Sequence, residues 1–292
     1  MHPTPATLLA TINARHGTSF VPGDRYADGE SDFGVYAVSD AAGRRGVLKW
    51  FPDPSLVDRL GEIDAATARL RERGYPAPLS LVVGSTPAAS YAIQEMRPGV
   101  PLRVVTPELV PSLIVLNALQ REQAIPGRRD WPGRIVDSIL HGGDGCCLLD
   151  PLRVYSPATA ELLATLQALV ARHQDDRYET ADLVHFDFNP TNILVEDGAI
   201  SGVIDWQDPC AGDRAFDLVT LLLYAWDSPA VRDPLWRHVR SQVGHGALGV
   251  YLAHMILRQV DWSIRHYGSR ETASWLRIAR EALAQWGTPG GL

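Results

Sequence analysis

Two short runs in this chain of 292 residues carry side chains suited to chemistry. The first is His185-Phe186-Asp187-Phe188-Asn189-Pro190-Thr191-Asn192, and the second is Gly202-Val203-Ile204-Asp205-Trp206. Between them, Ile193 to Val195 is apolar, Asp197-Gly198 is a turn dipeptide, and Ser201 to Ile204 is apolar again. That pattern predicts a β-hairpin closed at Asp197-Gly198. Asp187 and Asn192 then lie on the loop entering the hairpin and Asp205 at its exit, so three oxygen-bearing side chains return to one end. Mg²⁺ prefers such a set, with few carboxylates and the remaining positions left to water and substrate phosphates.

A cation is singled out by composition. The chain holds 26 Arg and one Lys, Lys49, set mid-strand between Leu48 and Trp50. Alternation places it on the face of Val47 and Phe51. A compact ammonium on a flexible stem differs from a planar guanidinium, and Lys is the usual point charge on nucleotide phosphates.

The spacing His185-x-Asp187-x-x-x-x-Asn192, followed thirteen residues later by Asp205 and then by Gly212-Asp213-x-x-x-Asp217-Leu218, resembles the catalytic and metal loops of the aminoglycoside phosphotransferase and choline kinase-like small-molecule kinases. The resemblance implies an α+β, bilobal protein-kinase-like fold. Residues 1–96 would form a small antiparallel N-lobe and residues 97–292 a mostly helical C-lobe. It makes Asp187 the catalytic base, with His185 orienting its loop and Asp217 bracing the loop backbone. Asn192 and Asp205 would hold Mg²⁺, and Lys49 would meet the α- and β-phosphates of ATP or GTP. An acid on the following helix, Glu62 or its rival Asp64, would pair with Lys49. Residues 29–35, including Ser31, would cover the phosphates, and Gln94, Glu95 and Met96 would form the adenine-binding hinge. The chain departs from the family pattern at Gln120, where a His is common, and at Phe186 and Thr191, where Gly is common.

The elements that must position these groups follow in order. A short helix is expected over residues 7–16, then strands at Val35–Val38 and Val47–Phe51. A helix over 55–73 ends at Gly74, a C-cap residue. Strands follow at Leu79–Val83 and Tyr91–Ile93, with a turn at Pro98-Gly99. Beyond Thr106 the pattern becomes helical, at 109–118 and 157–172, around a stretch from Gln123 to Asp150 that reads as irregular. Further helices are expected at 214–225, 230–242, 247–266 and 271–286. Their aromatics Tyr224, Trp226, Trp236, Tyr251, Trp262 and Trp275 read mainly as core.

The whole chain excludes several classes of function. A formal charge of −7 argues against a nucleic-acid surface. No apolar run reaches the roughly 20 residues needed to span a bilayer, and Leu218–Trp226 reads as a buried helix. Three cysteines, two of them adjacent, make neither a disulfide framework nor a zinc spacing. With no visible secretory signal, a cytoplasmic protein is expected. Acid is concentrated between Asp175 and Asp217, where eleven Asp or Glu face two Arg. Asp175, Asp176, Glu179 and Asp182 read as solvated surface; alternatively, the bias forms a rim for a cationic acceptor. Taken with the resemblance, the expected function is phosphorylation of a hydroxyl on a cationic antibiotic, an aminoglycoside or a capreomycin- or viomycin-type peptide, conferring resistance. The alternatives are a metabolite kinase for choline, homoserine or a sugar, and an inactive nucleotide-binding protein. A protein kinase is disfavoured because Trp206-Gln207 replaces Phe-Gly after Asp205.

Overall fold

The computed structural model describes residues 4–26, 34–125 and 131–288. The chain forms two compact units, Met1–Pro101 with Ile193–Gln207, and Leu102–Asn192 with Asp208–Leu292. In the first, helix α1 (Pro5–His16) precedes strands β1 (Val21–Tyr26), β2 (Val35–Ser39) and β3 (Arg45–Phe51). Helix α2 (Val57–Glu72) then leads to β4 (Ser80–Thr86) and β5 (Ala89–Glu95). The five strands make one antiparallel sheet in the order β1-β2-β3-β5-β4. Alternation along β3 decides which side of the sheet is dry. Leu48 and Trp50 join Leu8, Leu9, Ile12, Val38, Tyr91 and Ile93 in a core, while Val47, Lys49 and Phe51 share the less buried face. Just past α2, Gly74 adopts φ +86°, the left-handed conformation expected of a glycine that ends a helix.

The chain leaves this sheet through a turn at Pro98-Gly99 and the two-residue strand β6 (Val100–Pro101). In the second unit, α3 (Val110–Leu119), α4 (Trp131–Leu140), α5 (Leu149–Tyr155) and α6 (Pro157–His173) precede β7 (Asp182–Val184). Ser156 opens α6 with a capping box closed by Thr159. The stretch 123–150 therefore needs correction, because it contains α4 and the start of α5. Trp131, Ile135, Val136 and Ile139 are buried at helical spacing. Trp-Pro-Gly at one end and Gly142-Gly143-Asp144-Gly145 at the other disguise that period with loop-forming residues.

The chain then rejoins the first unit as the expected hairpin, β8 (Ile193–Glu196) and β9 (Ala199–Val203), turning at Asp197-Gly198 with both residues at positive φ. Strand β6 pairs with β8, and Arg97 donates to Ser201 O from Nε (3.0 Å) and Nη2 (2.6 Å), anchoring the hairpin to the exit of β5. In the second unit, β10 (Cys210–Gly212) pairs with β7. Helices α7 (Ala215–Tyr224), α8 (Pro229–Gln242), α9 (His245–His266) and α10 (Ser269–Gly287) complete it. Trp226, Trp236, Tyr251 and Trp275 are core, as expected, whereas Trp262 is half-buried and Tyr224 is 42% exposed. Strands β6, β7 and β10 are too short for a period-two pattern to show. No described helix is long and apolar enough to cross a membrane.

Gly99 adopts φ +99°, and a Cβ there would come within 2.5 Å of Ser201 Oγ and 2.7 Å of Val195 O. Gly99→Ala should therefore destabilise the first unit by about 1–3 kcal/mol, read as a lower urea midpoint with an unchanged m-value.

Candidate active site

The loop from His185 to Asn192 lies in the second unit, between β7 and the hairpin, and its backbone is held from below by Asp217. That carboxylate, on the first turn of α7, is fully buried and accepts His185 N at 2.8 Å and Phe186 N at 3.0 Å. Gln120 adds a third bond from Nε2 to Asp217 Oδ2 at 2.7 Å and also reaches Leu183 O at 3.0 Å. Here a neutral amide fills the place where a His is common. Burial pushes the Asp217 carboxyl up, against the lowering effect of His185 and these donors.

Phe186 sits at φ +72°, the left-handed region in which a glycine would be at ease. A side chain there costs about 1–2 kcal/mol, and its ring offsets that cost by packing. It stacks on Phe216 at 5.5 Å with planes 10° apart, meets Trp131 edge-on at 6.2 Å, and lies 4.0 Å beneath the Arg134 guanidinium. The departure at Phe186 is thus a structural exchange of backbone freedom for an aromatic anchor. His185 is buried and accepts Asp187 N at Nδ1, 3.3 Å away. Asn189 Oδ1 accepts both Thr191 N (2.9 Å) and Thr191 Oγ1 (2.6 Å), setting the turn that ends at Asn192.

Asp187 and Asn192 meet. Asn192 Nδ2 donates to Asp187 Oδ2 at 3.0 Å and to Asp187 O at 2.8 Å. That leaves the Asn192 amide oxygen, a hard donor of the type Mg²⁺ takes, pointing away from the pair. The other Asp187 oxygen, Oδ1, is held at 2.8 Å by Nη2 of Arg258, a residue of α9 that no sequence motif marks.

The remaining predicted residues lie in the first unit. Lys49 Nζ forms an ion pair with Asp205 Oδ1 at 2.7 Å, with the Lys49 side chain 15% exposed. Asp205 is at φ +69°, and Trp206 beside it is buried, donating Nε1 to Val203 O (2.9 Å) and packing edge-on against Tyr75 at 5.6 Å. Arg59 of α2 reaches Gln207 O at 3.0 Å. The partner the structure gives Lys49 is thus Asp205. Glu62 is exposed on α2, while Asp64 is half-buried, with its Oδ1 buried and without a hydrogen-bond partner. At the expected hinge, Glu95 N donates to Leu79 O (2.8 Å) and Met96 N to Arg45 O (3.2 Å), so an adenine using Met96 N would have to displace that bond. Gln94 lies within β5, opposite Val47 and Ser80. Ser31 lies outside the described residues. Of the two residues expected to hold Mg²⁺, Asn192 lies in the second unit and Asp205 in the first. Both are hard oxygen donors, which suits Mg²⁺. Among the described residues, no group of three His, Cys, Asp or Glu side chains could hold a metal by itself.

Within the second unit a cavity of about 460 Å³ opens beside the loop, lined by Arg134, Asp137, Asp144, Cys146, Phe186 and His254, among others. Arg134 is paired with Asp208, and Asp137 and Asp144 are exposed. The Cys146 thiol is drawn down by its hydrogen bond with Cys147 and by the charges of Arg258 and Arg134, while the buried Cys147 thiol is pushed up. Part of the acid-rich stretch is structural, while Asp175, Asp176 and Glu179 are exposed as expected. Asp182, read as solvated surface, is instead buried and bonded to Arg214 Nη1 at 2.7 Å and Glu122 N at 2.9 Å. Asp213 is buried too, accepting from Tyr251 Oη at 3.0 Å.

With this geometry in place, the comparisons assign a class. The sequence model of a phosphotransferase enzyme family matches residues 25–251, and the chain belongs to that family. A stretch of 152 residues is 27% identical to the Hygromycin-B 4-O-kinase of Escherichia coli, covering 49% of this chain and 44% of that relative. A thermostable mutant of aminoglycoside phosphotransferase APH(4)-Ia superposes with a TM-score of 0.69 at 18% identity, covering 96% of this chain and 99% of that one. Another form of that protein, in ternary complex with ADP and hygromycin B, gives 0.65 at 17% identity, over 97% and 99%. Choline kinase LicA from Streptococcus pneumoniae gives 0.64 at 13% identity, over 95% and 99%. The fold is the one these kinases share.

His254, paired with Ser138 Oγ at 2.9 Å, is depressed to about 3, chiefly by burial and then by Arg258 and Arg134. Its folded pKa lies below the unfolded one, so it favours folding above about pH 6.5, and that contribution is lost as pH falls toward 3. Asp213, raised to about 6 by burial, has the opposite sign: its contribution is present below about 3.8 and lost as pH rises through 6. The melting temperature of His254→Asn should therefore fall less steeply than that of the parent between pH 6.5 and 4, the difference isolating His254 from Asp213.

Proposed function

We propose that this protein transfers the γ-phosphoryl group of ATP or GTP to a hydroxyl on a small, cationic molecule, an aminoglycoside or a basic peptide antibiotic, and so confers resistance. The observation that carries the reading is Asp187: both carboxylate oxygens are held, yet the side chain is 40% exposed beside a cavity. A carboxylate fixed in orientation and open on one side is what a general base for a hydroxyl needs. In this reading Lys49 neutralises nucleotide phosphate charge, and a helix acid, Glu62 or Asp64, would pair with it. Asn192 and Asp205 would hold Mg²⁺, which supplies charge neutralisation between the phosphates. Gln94, Glu95 and Met96 would border the adenine, and Ser31 the phosphates. The ternary complex of aminoglycoside phosphotransferase APH(4)-Ia with ADP and hygromycin B supports a nucleotide and an aminoglycoside as the substrate pair.

Charge at the cavity supports a cationic acceptor. Its Arg134 is neutralised by Asp208, and the neighbouring Arg258 by Asp187, whereas Asp137 and Asp144 present exposed carboxylates. The likeness to a choline kinase keeps a cationic metabolite as the second reading.

A panel of aminoglycosides, peptide antibiotics, macrolides and cationic metabolites, scored for ADP release and a mass gain of one phosphate, tests both readings. Asp187→Asn should lower turnover roughly 10²–10⁴-fold while the protein stays folded; full activity would refute the assignment. Lys49→Arg should raise the KM for ATP or lower kcat, because a guanidinium cannot replace the ammonium. Asp137→Asn with Asp144→Asn should raise the acceptor KM and leave that for ATP unchanged.

A further inference from the structure

Arg258 projects from α9, one turn beyond His254, onto the catalytic loop. Its Nη2 donates to Asp187 Oδ1 and its Nη1 to Phe186 O, each at 2.8 Å. The guanidinium lies 5.3 Å from the Phe186 ring, and its side chain is only 18% exposed. One planar group therefore grips the loop twice, at a side-chain oxygen and at the carbonyl of the preceding residue. Asn192 holds the opposite Asp187 oxygen. Together the two leave the carboxylate no free rotation about its terminal bond, so the oxygen face presented outward is set before any acceptor arrives. The rigid fork of donors is what Arg offers and Lys does not.

We propose that Arg258 is a positioning residue for phosphoryl transfer, fixing the Asp187 carboxylate against the acceptor hydroxyl. The inference rests on the reading of Asp187 as the base. It goes beyond that reading by assigning a role to a helix that carries no motif. Arg258 itself exchanges no proton and touches no phosphate. Its contribution is orientation, of the kind whose loss costs roughly 10²-fold when a reacting group is misplaced by about an ångström.

The test compares Arg258→Ala, Arg258→Lys and Asp187→Asn with the parent protein. Kinetics are measured with ATP–Mg²⁺ and the panel compound giving the greatest ADP release, or with water as acceptor if none exceeds it. Arg258→Ala should lose roughly 10²-fold in kcat with the KM for ATP little changed. Guanidinium chloride at tens of millimolar should restore at least a tenth of the lost rate, and Arg258→Lys should recover only part of it. An Arg258→Ala protein within threefold of the parent, beside an inactive Asp187→Asn, would overturn the role of Arg258 and leave the base assignment standing. A loss that guanidinium does not restore, accompanied by a lower melting temperature, would reduce Arg258 to a structural prop and also overturn it. If the alanine variant does not fold, Arg258→Lys decides: full kcat overturns the proposal, and a reduced kcat at unchanged KM for ATP supports it. Full activity of Asp187→Asn would instead refute the underlying reading of the base.

Discussion

The arrangement depends on one buried carboxylate. Asp217 has no contact with water and gathers two consecutive backbone amides, His185 N and Phe186 N, with the side-chain amide of Gln120. An ionised acid in such a place is expensive unless its lone pairs are met, and removing any one donor would expose that cost. The loop accordingly has little freedom to adopt another course. With His185 and Phe186 fixed, the left-handed turn at Phe186 is enforced, and Asp187 emerges at a defined point between Asn192 and Arg258. The course of this loop is therefore set by backbone satisfaction more than by the exposed side chains it carries.

The aromatic cluster serves the same end by different physics. Phe186, Phe216, Trp131 and Tyr251 pack with ring separations of 5.0–6.2 Å and offset or edge-on geometries. They come from the loop, α7, α4 and α9, so the cluster ties to the loop three helices distant in sequence. Gly212 is the small residue that lets this happen, since a Cβ there would collide with the Trp131 indole. Helix α4 thus belongs to the support of the site and not to an irregular insertion.

What the sequence disclosed divides along a physical line. The hairpin was legible because a turn dipeptide announces its own geometry, and Asp187, Asn192 and Asp205 stood out because they fall in two short runs on either side of it. Lys49 was legible through scarcity, and the alternation of β3 placed it correctly on the half-buried face. Arg258 was not legible: it is one Arg among 26 and meets Asp187 across 71 positions of chain. Helix α4 was hidden because Pro132 and Gly133 are legitimate in a first helical turn but resemble loop residues when read alone. The acidic stretch was legible only in part: Asp175, Asp176 and Glu179 are exposed as expected, whereas Asp182 and Asp213 are spent on internal partners, and a carboxylate count cannot tell the two kinds apart. Only contacts separate them.

The hairpin β8–β9 has a consequence for how the protein comes into being. The first unit consists of two stretches of chain, and the edge partner of β6 does not exist until residues 193–195 have been made. During synthesis roughly ninety residues of elongation, several seconds at ordinary ribosomal speed, pass with β6 unmatched and Asp205 not yet present to neutralise Lys49. Polypeptide order here runs against vectorial folding. A nascent chain arrested before the hairpin would be a natural client for chaperones.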